Sequence, residues 1–232
     1  MLQYQQDYDD MTCPYGYFIS GRLGMTNPWV YQFWYGVGNN ASRDGNATYD
    51  MSAGLLQPYM KAPQVEDCPD DASIPAGTPP LPIGYGYNWD ALVTGPVSAT
   101  YPTGNGYAGI PSARIESPSE TIAFADAAVY TGAGLALSGF LYPPSLPGRP
   151  ALHGRHTGSA NILWFDGHVK AAKVDFPRGD AAGKAAAALQ AGDLIDPQHP
   201  YDSACAVPLK VTLAAPDTCA DDYYYLLSKP KP

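Results

Sequence analysis

Three of the chain's four histidines, His153, His156 and His168, lie with Asp166 in one short stretch. Imidazole and carboxylate together are the donor set of metal-dependent hydrolases, so this stretch is the first place to look for chemistry. Its spacing argues against a single centre. His156 precedes an apolar, β-prone run and Asp166 follows it, and a strand of that length holds its ends roughly 20 Å apart. His153 and His156 can meet each other, but two histidines without a third ligand make a poor zinc site. No Gly-x-Ser-x-Gly occurs, so there is no nucleophile elbow. Gly104-Asn-Gly-Tyr-Ala-Gly109 has the letters of a dinucleotide loop, but Pro111 stands where its helix must begin and no βαβ unit surrounds it. Four cysteines, Cys13, Cys68, Cys205 and Cys219, include no Cys-x2-Cys pair, which excludes a zinc ribbon. Their even number suits disulfides in an exported protein. Proximity in sequence pairs Cys205 with Cys219 and Cys13 with Cys68.

The element that must position these side chains is a hairpin. Asn161 to Phe165 is apolar, Asp166-Gly167 interrupts, and His168-Val-Lys170 resumes. Asp-Gly between two such runs predicts a two-residue type I′ turn with positive φ at both central residues. Phe165 then faces His168, Trp164 faces Val169 and Ile162 faces Ala171. Alternation puts Ile162, Trp164, Val169 and Ala171 on the core side. In this reading Gly167 supplies the positive φ, Asp166 caps the turn through its carboxylate, and His168 is a surface residue. His156 and Asn161 hydrogen-bond loop backbone where the preceding excursion rejoins the sheet.

Around the hairpin the chain reads as short elements separated by long loops. Residues 2–9 form the last turns of a helix, ended ahead of Cys13-Pro14. Aromatic residues crowd Tyr15 to Tyr35, which suits either core packing or a carbohydrate-stacking platform. Ser52 to Met60 reads as a short helix, Gly84 to Trp89 as a strand, and Thr121 to Ala127 as a buried strand ending at Asp126. Ser117-Pro-Ser-Glu120 has capping-box spacing. Beyond Lys173 an Ala-rich helix runs from an Asp180 N-cap to Gly192 as its C′ residue. Residues 205–213 and 221–227 read as further strands.

Five of these segments, taken in order, resemble one family. His156 is separated by nine residues from Asp166-Gly167. This spacing, with Asn161 and His168 around it, resembles the H-x9-DG proteins with prepilin-type processing, which look like type II secretion pseudopilins and other type IV pilin-like subunits. Tyr4 to Asp10 is similar to the end of their long N-terminal helix. Cys68-Pro-Asp-Asp71 is similar to their Cys-Pro-Ser-Asp segment, and Gly84-Tyr-Gly-Tyr-Asn88 to their Tyr-Gly-Tyr-Asn strand. Ser117 to Asp126 is similar to their Pro-Ser-Glu-Thr-Ile strand. The likeness covers residues 1–175, a head, and leaves 176–232 as a C-terminal extension packed on the same domain.

The resemblance implies a structural subunit without turnover, whose partners are other filament subunits and a secreted protein or polysaccharide cargo. It implies a periplasmic or cell-surface head carried by an apolar anchor helix, so the 232 residues read as the head of a longer precursor. Some such pseudopilins hold calcium in a loop of the sheet. Here Asp70 with Asp71, Asp126, and Asp217 with Asp221 and Asp222 are the oxygen-ligand candidates.

Composition agrees. A formal charge of −9 without a Lys/Arg cluster argues against nucleic acid and anionic lipid. No run of 18 apolar residues occurs, so no helix of this sequence spans a bilayer. The expected fold is α+β: a pilin-like N-terminal helix stub packed on an antiparallel sheet, with long loops and the extension. The alternatives are a surface carbohydrate- or protein-binding module and a metal-dependent hydrolase.

Overall fold

The computed structural model describes residues 1–14, 16–18, 30–39, 49–60, 68–75, 83–88, 93–96, 106–146, 150–204 and 219–229. Antiparallel sheets dominate it, with two short helices. A six-stranded sheet contains β1 (Gly16–Phe18), β2 (Val30–Phe33), β3 (Val37–Asn39), β4 (Tyr49–Asp50), β6 (Val93–Pro96) and β7 (Gly106–Gly109), in the order β4-β3-β2-β1-β7-β6. A four-stranded sheet contains β5 (Tyr85–Tyr87), β8 (Ile122–Asp126), β12 (Ser159–Trp164) and β13 (Val169–Lys173), in the order β13-β12-β8-β5. Two small ribbons complete the set, β9 (Ala128–Tyr130) with β10 (Leu135–Leu137), and β11 (Leu152–His153) with β14 (Ala191–Gly192). The architecture is mixed α and β, as expected.

Strand β8, inside the four-stranded sheet, is buried on both faces, and that explains its sequence. Every residue of β8 is buried, which requires the unbroken Ile-Ala-Phe-Ala run rather than an alternating one. On one face Phe124, Leu163 and Phe165 pack with Phe33, Trp34 and Tyr35 and with Tyr4 of helix α1 (Leu2–Asp7). Trp34 meets Phe124 edge-on at 4.9 Å, a favoured aromatic geometry. On the other face Ile122, Ile162 and Trp164 pack with Leu152, Val174, Leu194 and Tyr225. Phe33, Trp34 and Tyr35 are thus core residues, whereas Tyr15 and Trp29 lie outside the described residues. Only β13, at the sheet edge, is largely exposed, and it carries Lys170 and Lys173, the charges that discourage edge-to-edge pairing.

The hairpin forms, but not in the expected register. Leu163 faces Val169, Ile162 faces Lys170 and Asn161 faces Ala171. The turn is wider than two residues: Gly167 N–H donates to Trp164 O at 3.0 Å, and Trp164 N–H donates to His168 O at 2.9 Å. Gly167 alone has positive φ, +95°. A turn at Phe165-Asp166 followed by a left-handed glycine is the longer hairpin connection with a glycine bulge. The slip of one residue reverses the faces of β13, so Val169 and Ala171 point to solvent instead of the core. Asp166 does cap the turn: its Oδ1 accepts from His168 N–H at 3.1 Å and pairs with His168 Nδ1 at 2.5 Å. That backbone hydrogen bond holds the Asp166 carboxyl below its ordinary range.

Other expectations are corrected by local geometry. Ser52 to Met60 is two 3-10 turns, Met51–Ala53 and Gln57–Tyr59, because Pro58 interrupts any longer helix. Residues 221–227 are not a strand but the end of a 3-10 turn, Ala220–Tyr225, and the chain beyond it. Helix α2 (Ala181–Ala188) is capped by Asp180, whose Oδ1 accepts from Gly183 N–H at 2.6 Å. It stops earlier than expected: Gln190 takes the left-handed position at φ +60°, and Gly192 is already in β14. Ser117 makes no side-chain cap, although Pro118–Glu120 does form one turn. Cys13 and Cys68 are free, so they are not bridged as sequence proximity suggested. Their thiols face different neighbours, Pro14 O and His156. The expected Cys205–Cys219 bridge and the strand at 205–213 involve residues outside those described.

Residues beyond 175 pack on the same body. Strand β14 pairs with β11, and Asn88, buried in the core, donates through Nδ2 to Ile122 O at 2.9 Å and Tyr225 O at 3.2 Å.

The turn has a direct test. A Cβ at Gly167 meets Leu2 Cδ1 at 2.8 Å, besides the cost of its positive φ. Gly167→Ala should lose about 1 kcal/mol or more in urea unfolding; an unchanged midpoint would refute this account of the turn.

Candidate functional site

The end of β8, the segment after Cys68 and the loop from β11 to β12 meet at one point. Strand β8 delivers Asp126, fully buried. The 3-10 turn Pro69–Asp71 delivers Asp70 and Asp71. The loop entering β12 delivers Arg155 and His156. That loop closes through a two-residue turn. His156 and Ser159 exchange both backbone hydrogen bonds at 3.1 Å, and between them Thr157 and Gly158 have φ of +57° and +81°. Positive φ at both central positions is the type I′ signature. A turn of the type expected at Asp166-Gly167 is therefore found at Thr157-Gly158, where Thr157 takes a left-handed conformation that is costly for a β-branched residue and free for glycine.

His156 joins the three segments. Its Nε2 lies 3.1 Å from Asp126 Oδ2 and its Nδ1 lies 2.9 Å from Asp70 Oδ2. Cys68 Sγ stands 3.7 Å from the same Nε2. Asp126 Oδ2 also accepts from Asn161 N–H at 2.6 Å, which ties the site to β12. Burial raises the Asp126 carboxyl above its ordinary range, although Asn161, Arg155 and His156 all oppose the shift. Beside this cluster Arg155 forms an ion pair with Asp71 at 3.1 Å, the side chains 1% and 5% exposed, and donates to Ala127 O at 2.8 Å. Gly84 makes room for the pair, since a Cβ there would fall 2.0 Å from Asp71 Oδ2.

The residues singled out from the sequence distribute as follows. His156 and Asn161 are in the site, although His156 binds side chains and not only loop backbone. Asp166, Gly167 and His168 are at the far end of the hairpin, as the strand length requires. His153 is not with His156 at a metal: its Nε2 faces Leu189 O at 3.1 Å. Of the calcium candidates whose side chains are described, Asp70 and Asp126 both meet His156. Asp126 groups with Cys68 and His156, not with Asp222. Asp222 accepts from Ser145 N–H at 2.8 Å and from Ser145 Oγ. Asp217 and the Asp221 side chain lie outside what the structure describes. Cys68, Asp70, Asp71 and Arg155 are functional partners that sequence reasoning did not connect to His156. The available signal was that Cys68-Pro-Asp-Asp71, Asp126 and His156 belong to three of the five segments sharing one resemblance.

Comparison of this chain with protein-family models, curated proteins and solved structures finds no match.

Chemically, the cluster is a clasp of charge-assisted hydrogen bonds across segments distant in sequence. Two consequences can be measured. Removing one member of a buried pair strands the other, so Arg155→Met should lose about 3–5 kcal/mol. The double variant Arg155→Met/Asp71→Leu should recover part of that loss in urea unfolding, and a double variant worse than the single would contradict the pairing. Separately, burial pushes the His153 imidazole down to about 4 from an ordinary 6.5. Its folded pKa lies below its unfolded one, so its contribution is complete above pH 6.5 and is lost as pH falls toward 4. The stability of the wild-type chain relative to His153→Gln should therefore decline across that window; a difference that stays constant with pH would rule out the buried neutral imidazole.

Proposed function

We propose that this chain is the head of a pseudopilin-like structural subunit, of the type II secretion or type IV pilus kind, that works by assembly and cargo recognition without turnover. The observation that carries the reading is the seat of α1. Tyr4 enters the core beside Phe124 and Phe165, and Leu2 lies against the Gly167 turn, so the helix leads onto the tip of the hairpin. A subunit anchored by an apolar helix upstream needs such a rigid junction between helix and head. The pilin-like description of the fold belongs to this proposal, as does a periplasmic or surface location.

The clasp supports the same reading. His156, Asp126 and Cys68 come from segments whose likeness to the H-x9-DG proteins was noted separately, and their side chains serve one another. A motif that closes a loop onto a sheet needs no substrate to account for it. Phe33, Trp34 and Tyr35 are buried and Tyr31 is partly so, which gives the carbohydrate-platform alternative no support at these rings.

Antibodies against this chain should label filaments sheared from cells that produce it, with the label co-sedimenting with other pilin-like subunits. Label found only in a non-filamentous soluble fraction would overturn the proposal.

A further inference from the structure

We propose that Cys68, Asp126 and His156 form a zinc site that staples the Cys68 segment to the end of β8, independently of the filament reading. One ligand atom of each lies within 4.8 Å of the others, and the two spacings to His156 Nε2 suit the metal. Zinc bonds of about 2.0–2.1 Å to nitrogen or oxygen and about 2.3 Å to sulfur, at tetrahedral angles, separate the ligand atoms by roughly 3.3–3.6 Å. The observed separations are 3.1 Å for His156 Nε2 to Asp126 Oδ2 and 3.7 Å for His156 Nε2 to Cys68 Sγ.

Three further observations point to a cation. Asp126 is fully buried, and its second oxygen, Oδ1, has no hydrogen-bond partner among the described residues. An unpaired buried carboxylate oxygen is costly, and a cation held by the Asp126 carboxylate, of which Oδ2 is the oxygen nearer His156, offsets that cost. Asp70 holds His156 Nδ1 at 2.9 Å, the outer carboxylate that fixes the tautomer and leaves Nε2 for the metal. Thiolate and carboxylate together carry two negative charges, which neutralise a divalent ion in a buried place. Cys68 and Asp126 are indeed 5% and 0% exposed.

The donor set also selects the metal class. A thiolate and an imidazole are too soft for calcium or magnesium, which take oxygen ligands. A thiolate, an imidazole and one carboxylate suit zinc, with water as the fourth ligand. On binding, the Cys68 thiol gives up its proton to solvent, the imidazole keeps its proton on Nδ1 toward Asp70, the sulfur, Nε2 and carboxylate lone pairs form the metal bonds, and nothing is oxidised.

The test is a titration of the reduced, chelator-stripped full chain with Zn(II), and separately with Co(II) as a spectroscopic substitute. The expected result is one Zn(II) per chain and, with Co(II), the near-ultraviolet charge-transfer absorption of a thiolate ligand. Cys68→Ser should abolish that absorption, and Cys13→Ser, which alters the other free buried thiol, should keep it. Asp70→Asn should weaken zinc binding about 10–100-fold, the usual effect of losing the carboxylate behind a ligating histidine. Absence of zinc uptake at micromolar free metal would overturn the proposal, as would a Co(II) spectrum of the unaltered chain without the thiolate band. That last measurement decides the matter even where Cys68→Ser fails to fold.

Discussion

The buried ion pair between Arg155 and Asp71 is the constraint on which the centre of this fold depends. A guanidinium removed from water is tolerated only when its charge is paired and its N–H groups are used. Arg155 meets the first condition with Asp71 and the second in part with Ala127 O. To do so it must draw three strangers in sequence together: the turn after Cys68, the strand entry at Gly84 and the residue beyond β8. His156, next in the chain, then reaches Asp126 and Asp70. Because the two side chains are adjacent, the loop cannot satisfy one without nearly placing the other.

The apolar packing is arranged about this clasp. Alternation along β12 sends Ile162 and Trp164 to one cluster and Leu163 to the other, where Phe165 of the turn joins it, so a single six-residue strand holds two cores apart. The pairing geometry makes each core sensitive to register. The glycine bulge at the hairpin tip sets that register, and α1 rests against it through Leu2. Polar clasp at one end and helix seat at the other thus control the same strand.

How much of this was legible in the sequence depended on the range of the interaction. The hairpin, the buried strand at Ile122–Asp126, the N-terminal helix and the Asp180 cap all follow from local patterns, and all are present. The turn type was misread because Asp-Gly serves equally in a two-residue turn and in a longer one with a glycine bulge, and only cross-strand pairing distinguishes them. Thr157-Gly158 went unseen as a type I′ turn because Thr is a poor occupant of left-handed backbone. The site was harder still. Cys68 and His156 are 88 residues apart, and no periodicity reports that two loops will meet. The charge of Asp126 at the end of an otherwise apolar strand was the one local hint, since such a residue needs a buried partner.

The segment 219–229 has a consequence for how the chain is made. It closes over the core through Tyr225 O, which accepts from Asn88 at a separation of 137 residues. Leu226 O accepts from Thr121 Oγ1, and Lys229 Nζ donates to Glu120 O. These long-range links add to nearer ones, since Asn88 Nδ2 also donates to Ile122 O and Thr121 Oγ1 to Ser117 O. A ribosome delivering this chain from its N-terminus therefore releases most of the four-stranded sheet before the piece that seals it. Interactions of such high contact order form slowly, so the sheet spends that interval with Tyr225 missing from one face. During this time a chaperone has an unfinished, apolar surface to hold.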